Sequence, residues 1–147
     1  MINDFIYTQP VKIWFGAGSF GRLAEVLESL KATRAVVVCD PFLRGKISSF
    51  AENNPGIVDI FSDVEPNPQL SGAAAVAELI RENDADACVG IGGGSTMDTA
   101  KFAAAIALGE GSADEYFTGE RAFPEERVPV ITVPQRRAPA ARSHRSP

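Results

Sequence analysis

Two glycine-rich segments hold the residue types best suited to chemistry in this chain. The first, Gly16-Ala-Gly18-Ser-Phe-Gly21, is a literal G-x-G-x-x-G, and Asp40 follows 19 residues after Gly21. A dinucleotide-binding turn uses such glycines to bring backbone close to a pyrophosphate, with an acid about 20 residues on that accepts from the ribose 2′-OH. A plain strand-to-helix turn that needs glycine dihedrals uses the same residues, and the pattern alone divides evenly between the two readings. The second segment is Gly90-Ile-Gly92-Gly93-Gly94-Ser95-Thr96-Met97-Asp98-Thr99-Ala100-Lys101. Its three successive glycines leave no side chain between a ligand and the backbone N–H groups, and a helix opening there adds its positive dipole end, so an anion such as a pyrophosphate is favoured. Ser95 can cap that helix, with Asp98 three residues on in a box-like arrangement. A capped glycine turn would explain the segment without a ligand. Three glycines weaken a fold unless something must come close, which favours the ligand.

The other reactive residue types offer less. Cys39 and Cys88 each fall in an apolar run and read as core-edge thiols rather than nucleophiles. The carboxylates Glu110, Asp114, Glu115, Glu120, Glu125 and Glu126 read as a solvated acidic face. The single histidine, His144, stands in an Arg/Pro-rich tail, and one histidine without partners is not a metal site.

These residues need elements to hold them. Short β-branched runs alternate with segments of helical period. Phe5–Tyr7 and Val11–Trp14 flank Pro10 and suit an N-terminal β-hairpin. Residues 19–31 place Phe20, Leu23, Leu27 and Leu30 on one helical face. Strands are expected over 34–39, 57–61, 86–91 and 128–133. Helices are expected over 42–53, from Asn67 (N-cap) and Pro68 (first turn) to about 83, over 95–108, and in a short acidic stretch over 112–117. The order implies an α/β, Rossmann-like fold: a parallel sheet flanked by helices, its strands covered on both faces. Residues 1–134 form one domain. Residues 135–147 carry no periodicity and no large apolar side chain, and are expected to be a disordered basic tail.

Composition sets the outer limits. The chain has 147 residues, 45% apolar and 22% charged, the profile of one globular domain rather than a disordered or fibrous chain. Residues 1–134 hold 10 Lys+Arg against 19 Asp+Glu, and all four basic residues beyond them are Arg. So acidic a body excludes a nucleic-acid partner, whose phosphates need Lys and Arg. No run reaches the roughly 18 apolar residues of a membrane span, and Met-Ile-Asn-Asp-Phe lacks the basic start of a signal peptide. Two cysteines make no disulfide framework, so a reduced, cytoplasmic setting is expected.

The second glycine segment also carries a family likeness. Gly-Gly-Gly-Ser-x-x-Asp-x-Ala-Lys resembles the signature of the iron-containing alcohol dehydrogenases, the superfamily that includes glycerol dehydrogenase and dehydroquinate synthase. Val11–Gly21, Val38-Cys39-Asp40-Pro41, Val64-Glu-Pro-Asn-Pro68 and Val128-Pro-Val-Ile-Thr-Val-Pro134 are similar to further family motifs in the same order, so the likeness covers residues 5–134. It implies that the loop at Gly92–Ser95 holds a cofactor pyrophosphate and that the turn at Gly16–Gly21 is mostly structural. It further implies that Asp40 faces the adenosine ribose, that Asn67 lines the cofactor cleft, and that Gly93, Gly94, Ser95, Thr96 and Asp98 surround the phosphates. Lys101 is family-typical.

The cofactor implied is NAD rather than NADP, because a carboxylate at Asp40 accepts from a 2′-OH and repels a 2′-phosphate. The reaction implied is hydride transfer between NAD(H) and an alcohol/carbonyl pair, with a small alcohol or aldehyde as substrate. The resemblance also implies a C-terminal helical domain with ligands for Fe2+ or Zn2+, and this chain carries no such ligand set. The chain is therefore expected to be the cofactor half, inactive alone, or else a non-catalytic dinucleotide-binding module or a decayed product. Homo-oligomerisation is compatible with it. A parent of the dehydroquinate synthase or glycerol dehydrogenase type is the alternative, and Ser-Thr-Met-Asp fits the alcohol dehydrogenase branch better. Residues 135–144 suggest why the family pattern stops. One allowed codon choice for them, read one base out of register from the end of codon 134, spells Thr-Ala-Pro-Gly-Thr-Gly-Ser-Glu-Val-Thr, the family's next motif. A one-base deletion near codon 134 is expected, and the encoding DNA tests it.

Overall fold

A computed structural model describes residues 11–13, 16–65 and 70–135. At its centre is β1 (Ala35–Cys39), whose five residues are all buried. Alternation along a strand sends neighbouring side chains to opposite faces, so this short run serves two cores. Val36 and Val38 join Cys88 beneath one helical layer, packed with Val76, Ala77, Ile80, Ala100 and Ala103. Ala35, Val37 and Cys39 join Val89 and Ile91 on the other face, packed with Leu23, Leu27 and Ile47.

The first face is covered by α3 (Leu70–Glu82) and α4 (Gly94–Ile106), the second by α1 (Leu23–Ser29) and α2 (Arg44–Glu52). The sheet is completed by β2 (Ile57–Phe61), β3 (Ala87–Gly92) and β4 (Val130–Pro134), with α5 (Ala113–Thr118) before the last strand. Spatial order is β2-β1-β3-β4, and every described pairing is parallel. The doubly covered α/β sheet expected from the run of elements is therefore the observed one.

Two consequences position the site. All strands end on the same edge, and the chain moves from β1 outward to β2, then returns past β1 to β3. The gap between the carboxyl ends of β1 and β3 is thus where the strand order reverses, the place at which open α/β sheets bind ligands. Tight packing then fixes α4 against β3. A Cβ built on Gly90 would lie 2.8 Å from the Ala100 Cβ and 3.4 Å from the Met97 Cα, so glycine lets the helix sit directly on the strand.

Several boundaries differ from the sequence expectation for identifiable reasons. The segment from Ser19 opens as a 3-10 turn (Ser19–Arg22) before α1, and α1 ends two residues before Lys31, which has φ +55°. Likewise a 3-10 turn (Pro41–Leu43) precedes α2. The last strand starts at Val130 rather than Val128, since Pro129 has no N–H to give the ladder. The largest correction is at α4. Its N-cap is Gly93, with Met97 N–H donating to the Gly93 carbonyl, so Ser95 lies inside the helix rather than at the expected cap position. A capping box does occur at α5: Ser112 Oγ accepts from Glu115 N–H, and Glu115 accepts from Ser112 N–H at 2.7 Å. The hairpin's Phe5–Tyr7 and Trp14, the cap at Asn67-Pro68 and the tail beyond Gln135 lie outside the described residues. Val11–Ile13 are described, and are exposed and outside the four strands.

The amino edge of the sheet is tied by one side chain. The Asp86 carboxylate, just before β3, accepts from Thr33 N–H at 3.0 Å, the Thr33 hydroxyl at 3.0 Å and Arg34 N–H at 2.8 Å. Burial works against its charge, but these donors outweigh it and hold the carboxyl below the usual aspartate range.

Candidate functional site

Asp40 is the first residue after β1, and Gly92 is the last residue of the neighbouring β3. Because Cys39 pairs with Ile91, the register brings Asp40 level with Gly92 across the gap, and Asp40 N–H donates to the Ile91 carbonyl at 3.2 Å. The Asp40 carbonyl accepts from Leu43 N–H at 2.9 Å, which starts the turn into α2. The backbone of Asp40 is therefore held on both sides.

Its half-buried carboxylate crosses to the glycine loop. One oxygen accepts from the Thr96 hydroxyl in a short hydrogen bond, and the other accepts from Gly93 N–H at 3.3 Å. Gly92 makes room for this. A Cβ built there would collide with both carboxylate oxygens, and its φ of +153° is in any case a conformation that side chains rarely adopt. By contrast a Cβ at Gly94 would meet nothing within 4 Å, so that side of the loop is open. Gly94, Ser95 and Thr96 form the first turn of α4, ahead of the first intrahelical donor, Met97. Their amides point out of the helix start, toward the edge where an anion would sit.

Asp98 lies one turn further on. It is exposed, as are Gly94 and Lys101, and the three occupy one helical stripe at i, i+4 and i+7. Thr99 is buried and donates to the Ser95 carbonyl at 2.8 Å. A cavity of about 200 Å³ lies beside this region, lined by Phe61, Val64 and Glu65 after β2, by Ser71 and Gly72 at the start of α3, and by Thr99. A larger groove of about 650 Å³, between α3 and α5, is lined by Ala74, Arg81, Ile106 and Gly111 among others and includes none of the glycine-loop residues.

The first glycine segment is built differently. Cβ atoms at Gly16, Gly18 and Gly21 would meet nothing within 4 Å, and Gly18 has φ +77°. Backbone conformation accounts for glycine at Gly16 and Gly18, and no close approach among the described residues requires it. The cysteines are equally quiet: burial pushes Cys39 up to about 11, with Arg44 pulling it down only in part, and pushes Cys88 up to about 12. Both are free, buried thiols with no thiolate to offer. Within the acidic face, Glu115 is half-buried, caps α5 and stands 3.6 Å from Arg121, whereas Glu110, Asp114, Glu120, Glu125 and Glu126 are exposed. Among the described residues no three His, Cys, Asp or Glu side chains gather as a metal site requires. The residues present do not fit a catalytic metal.

Of the expected site residues, the fold brings Asp40, Gly93 and Thr96 into direct contact and sets Gly94 and Ser95 in the adjoining turn. Asp98 stands apart on the exposed stripe, and Asn67 lies outside the described residues. The Thr96–Asp40 bond spans 56 residues and left no trace in local sequence. Only the β1/β3 register could have revealed it.

The fold has known counterparts. The family model for iron-containing alcohol dehydrogenases matches residues 10–136. The chain belongs to the iron-containing alcohol dehydrogenase family. Among solved members, the sulfoacetaldehyde reductase of Bifidobacterium kashiwanohense in complex with NAD+ is 32% identical with a TM-score of 0.81, covering 90% of this chain and 36% of that one. The NAD-dependent methanol dehydrogenase of Bacillus methanolicus is 30% identical over 138 residues, 90% of this chain and 35% of its own. Long-chain-alcohol dehydrogenase 1 of Geobacillus thermodenitrificans is 30% identical over 126 residues, 81% and 32% of the two chains. The chain thus spans about a third of the length of these relatives. No helix among its described residues is long and apolar enough to cross a membrane.

Proposed function

We propose that this chain binds NAD across the carboxyl edge of the sheet, between β1 and β3, and is the cofactor half of a hydride-transferring alcohol dehydrogenase. The observation that carries the reading is the Asp40 carboxylate fixed beside the Gly92–Gly94 loop at the reversal of strand order. A pyrophosphate seated on the amides of Gly94 and Ser95, at the positive end of α4, would put an adjoining ribose beside Asp40. The carboxylate would accept from the ribose 2′-OH and repel a 2′-phosphate, which selects NAD over NADP. By the family likeness Asp98 would stand by the phosphates and Asn67 would line the cleft. NAD supplies the hydride acceptor when bound. The chain's own part is to orient it and exclude the phosphorylated analogue.

The substrate would be a small alcohol or its carbonyl, and a divalent iron or zinc ion would be needed to polarise its oxygen. Since the described residues bring together no ligand set for such an ion, the chain alone would not turn over. A non-catalytic dinucleotide-binding module is the second reading, favoured by that same missing ligand set. Two free, buried cysteines fit a reducing, cytoplasmic setting.

Calorimetric titration of the 147-residue chain tests the first claim: saturable NAD binding, and weaker NADP binding, are expected. Equal affinity for the two, or no binding, defeats it. NAD-dependent alcohol oxidation by the isolated chain with added Fe2+ or Zn2+ would refute the claim that it needs a further ligand set.

A further inference from the structure

Thr96 stands in the first turn of α4, where the reading above seats a pyrophosphate, yet its side chain is directed at Asp40. It is fully buried, and its hydroxyl proton goes to Asp40. We propose that Thr96 is a positioning residue for cofactor selectivity: its hydroxyl fixes the Asp40 carboxylate so that the two outward lone pairs face a ribose diol. The assignment rests on the NAD reading above and deepens it.

Three observations converge on this. Among the described residues the Thr96 hydroxyl donates to one carboxylate oxygen and Gly93 N–H to the other, which sets the plane of the group. The missing Cβ of Gly92 leaves the space the carboxylate fills. The backbone of Asp40 is pinned by Ile91 and Leu43, so its side-chain torsions are the freedom left for these donors to fix. A hydroxyl can hold the carboxylate without cancelling its charge, unlike a lysine or arginine, and that retained charge is what rejects a 2′-phosphate. Gly93 N–H alone, at 3.3 Å, is a weaker tether that lets the group rotate. Selectivity would therefore be set by a side chain that touches neither the ribose nor the phosphates.

The test measures NAD and NADP affinity by calorimetry for the wild-type chain, Thr96→Val and Thr96→Ser, with thermal unfolding as the control on folding. Thr96→Val keeps the shape of the side chain and removes the donor. It should cut the NAD-over-NADP preference by about tenfold, the worth of one hydrogen bond to a charged group. Thr96→Ser restores the hydroxyl and should restore the preference. If valine lowers the unfolding midpoint enough to interfere, Thr96→Ala is compared with Thr96→Ser instead. An unchanged preference in the variant without a hydroxyl overturns the assignment while leaving the NAD reading intact. Equal loss of NAD and NADP affinity overturns it too, by showing that Thr96 acts through the phosphates or the fold. A wild-type chain that binds neither cofactor, or does not distinguish them, overturns the NAD reading and the assignment with it.

Discussion

The chain contains two glycine turns that lead into helices, and the one that matches a nucleotide fingerprint letter for letter makes the smaller steric demand on its glycines. At Gly16–Gly21 an added Cβ would meet nothing, and Gly18 needs glycine only for its left-handed backbone. At Gly90–Gly94 the demands are steric and local. Gly90 admits a helix and Gly92 admits a carboxylate, whereas a Cβ at Gly94 would, like those of the first turn, meet nothing. The two turns show that glycine spacing reports a backbone shape, whereas what a Cβ would strike reports where the packing itself requires glycine.

Replacing Gly92 breaks the comparison most severely. Gly92→Ala puts a methyl where the Asp40 carboxylate lies, so Asp40 must leave its place beside the loop. Loss of a charge-assisted ribose contact should weaken NAD binding by about 10- to 100-fold, read by titration. Undiminished NAD affinity in a folded Gly92→Ala chain would separate Asp40 from the cofactor. Gly90→Ala comes next, and acts on the fold. Its methyl meets Ala100 at 2.8 Å, and overpacking of this kind costs about 1–3 kcal/mol in denaturant unfolding. Gly18→Ala sharpens the contrast from the other side. A left-handed alanine should cost about 1–2 kcal/mol while leaving NAD affinity unchanged, and a shift in affinity would return the first turn to the binding site.

The same contrast explains what could be read from residues in order. Elements were legible wherever the apolar pattern had one period: β1 as Ala35–Cys39, β2 as Ile57–Phe61, α3 and α4 as long helices. The Gly92–Gly94 loop was legible because three glycines in a row are costly without a reason. Helix starts were less so. Ser95 is a good capping residue in the right neighbourhood, but Gly93, extended at φ −79° and ψ −174°, closes the first turn two residues earlier, and no side-chain preference signals that. The bond from Thr96 to Asp40 was illegible for a different reason. It depends on β1 and β3 becoming neighbours although β2 separates them in sequence, which is a property of strand order.

Asp86 was passed over for the same cause, and it supplies the finest test. It and Asp40 are both aspartates at strand ends whose carboxylates accept from a backbone N–H and a threonine hydroxyl, but they sit at opposite edges of the sheet. Asp86 receives three donors from Thr33 and Arg34, with no glycine beside it to admit a ligand, so its work is to staple β3 to the segment entering β1. Its folded-state carboxyl is held below the ordinary aspartate value, so its contribution is fully present above that ordinary value, near pH 4. The contribution is lost as pH falls through the lower, folded-state value. Asp86→Asn keeps an acceptor but loses the charge, and should cost about 1 kcal/mol at neutral pH, discounted because the group is exposed. The gap between wild type and variant in urea unfolding should close as the pH is taken from about 5 toward 2. NAD affinity should not move, since the carboxyl edge is untouched. If the variant instead loses NAD binding at full stability, the division of the sheet into a stapled edge and a binding edge is wrong.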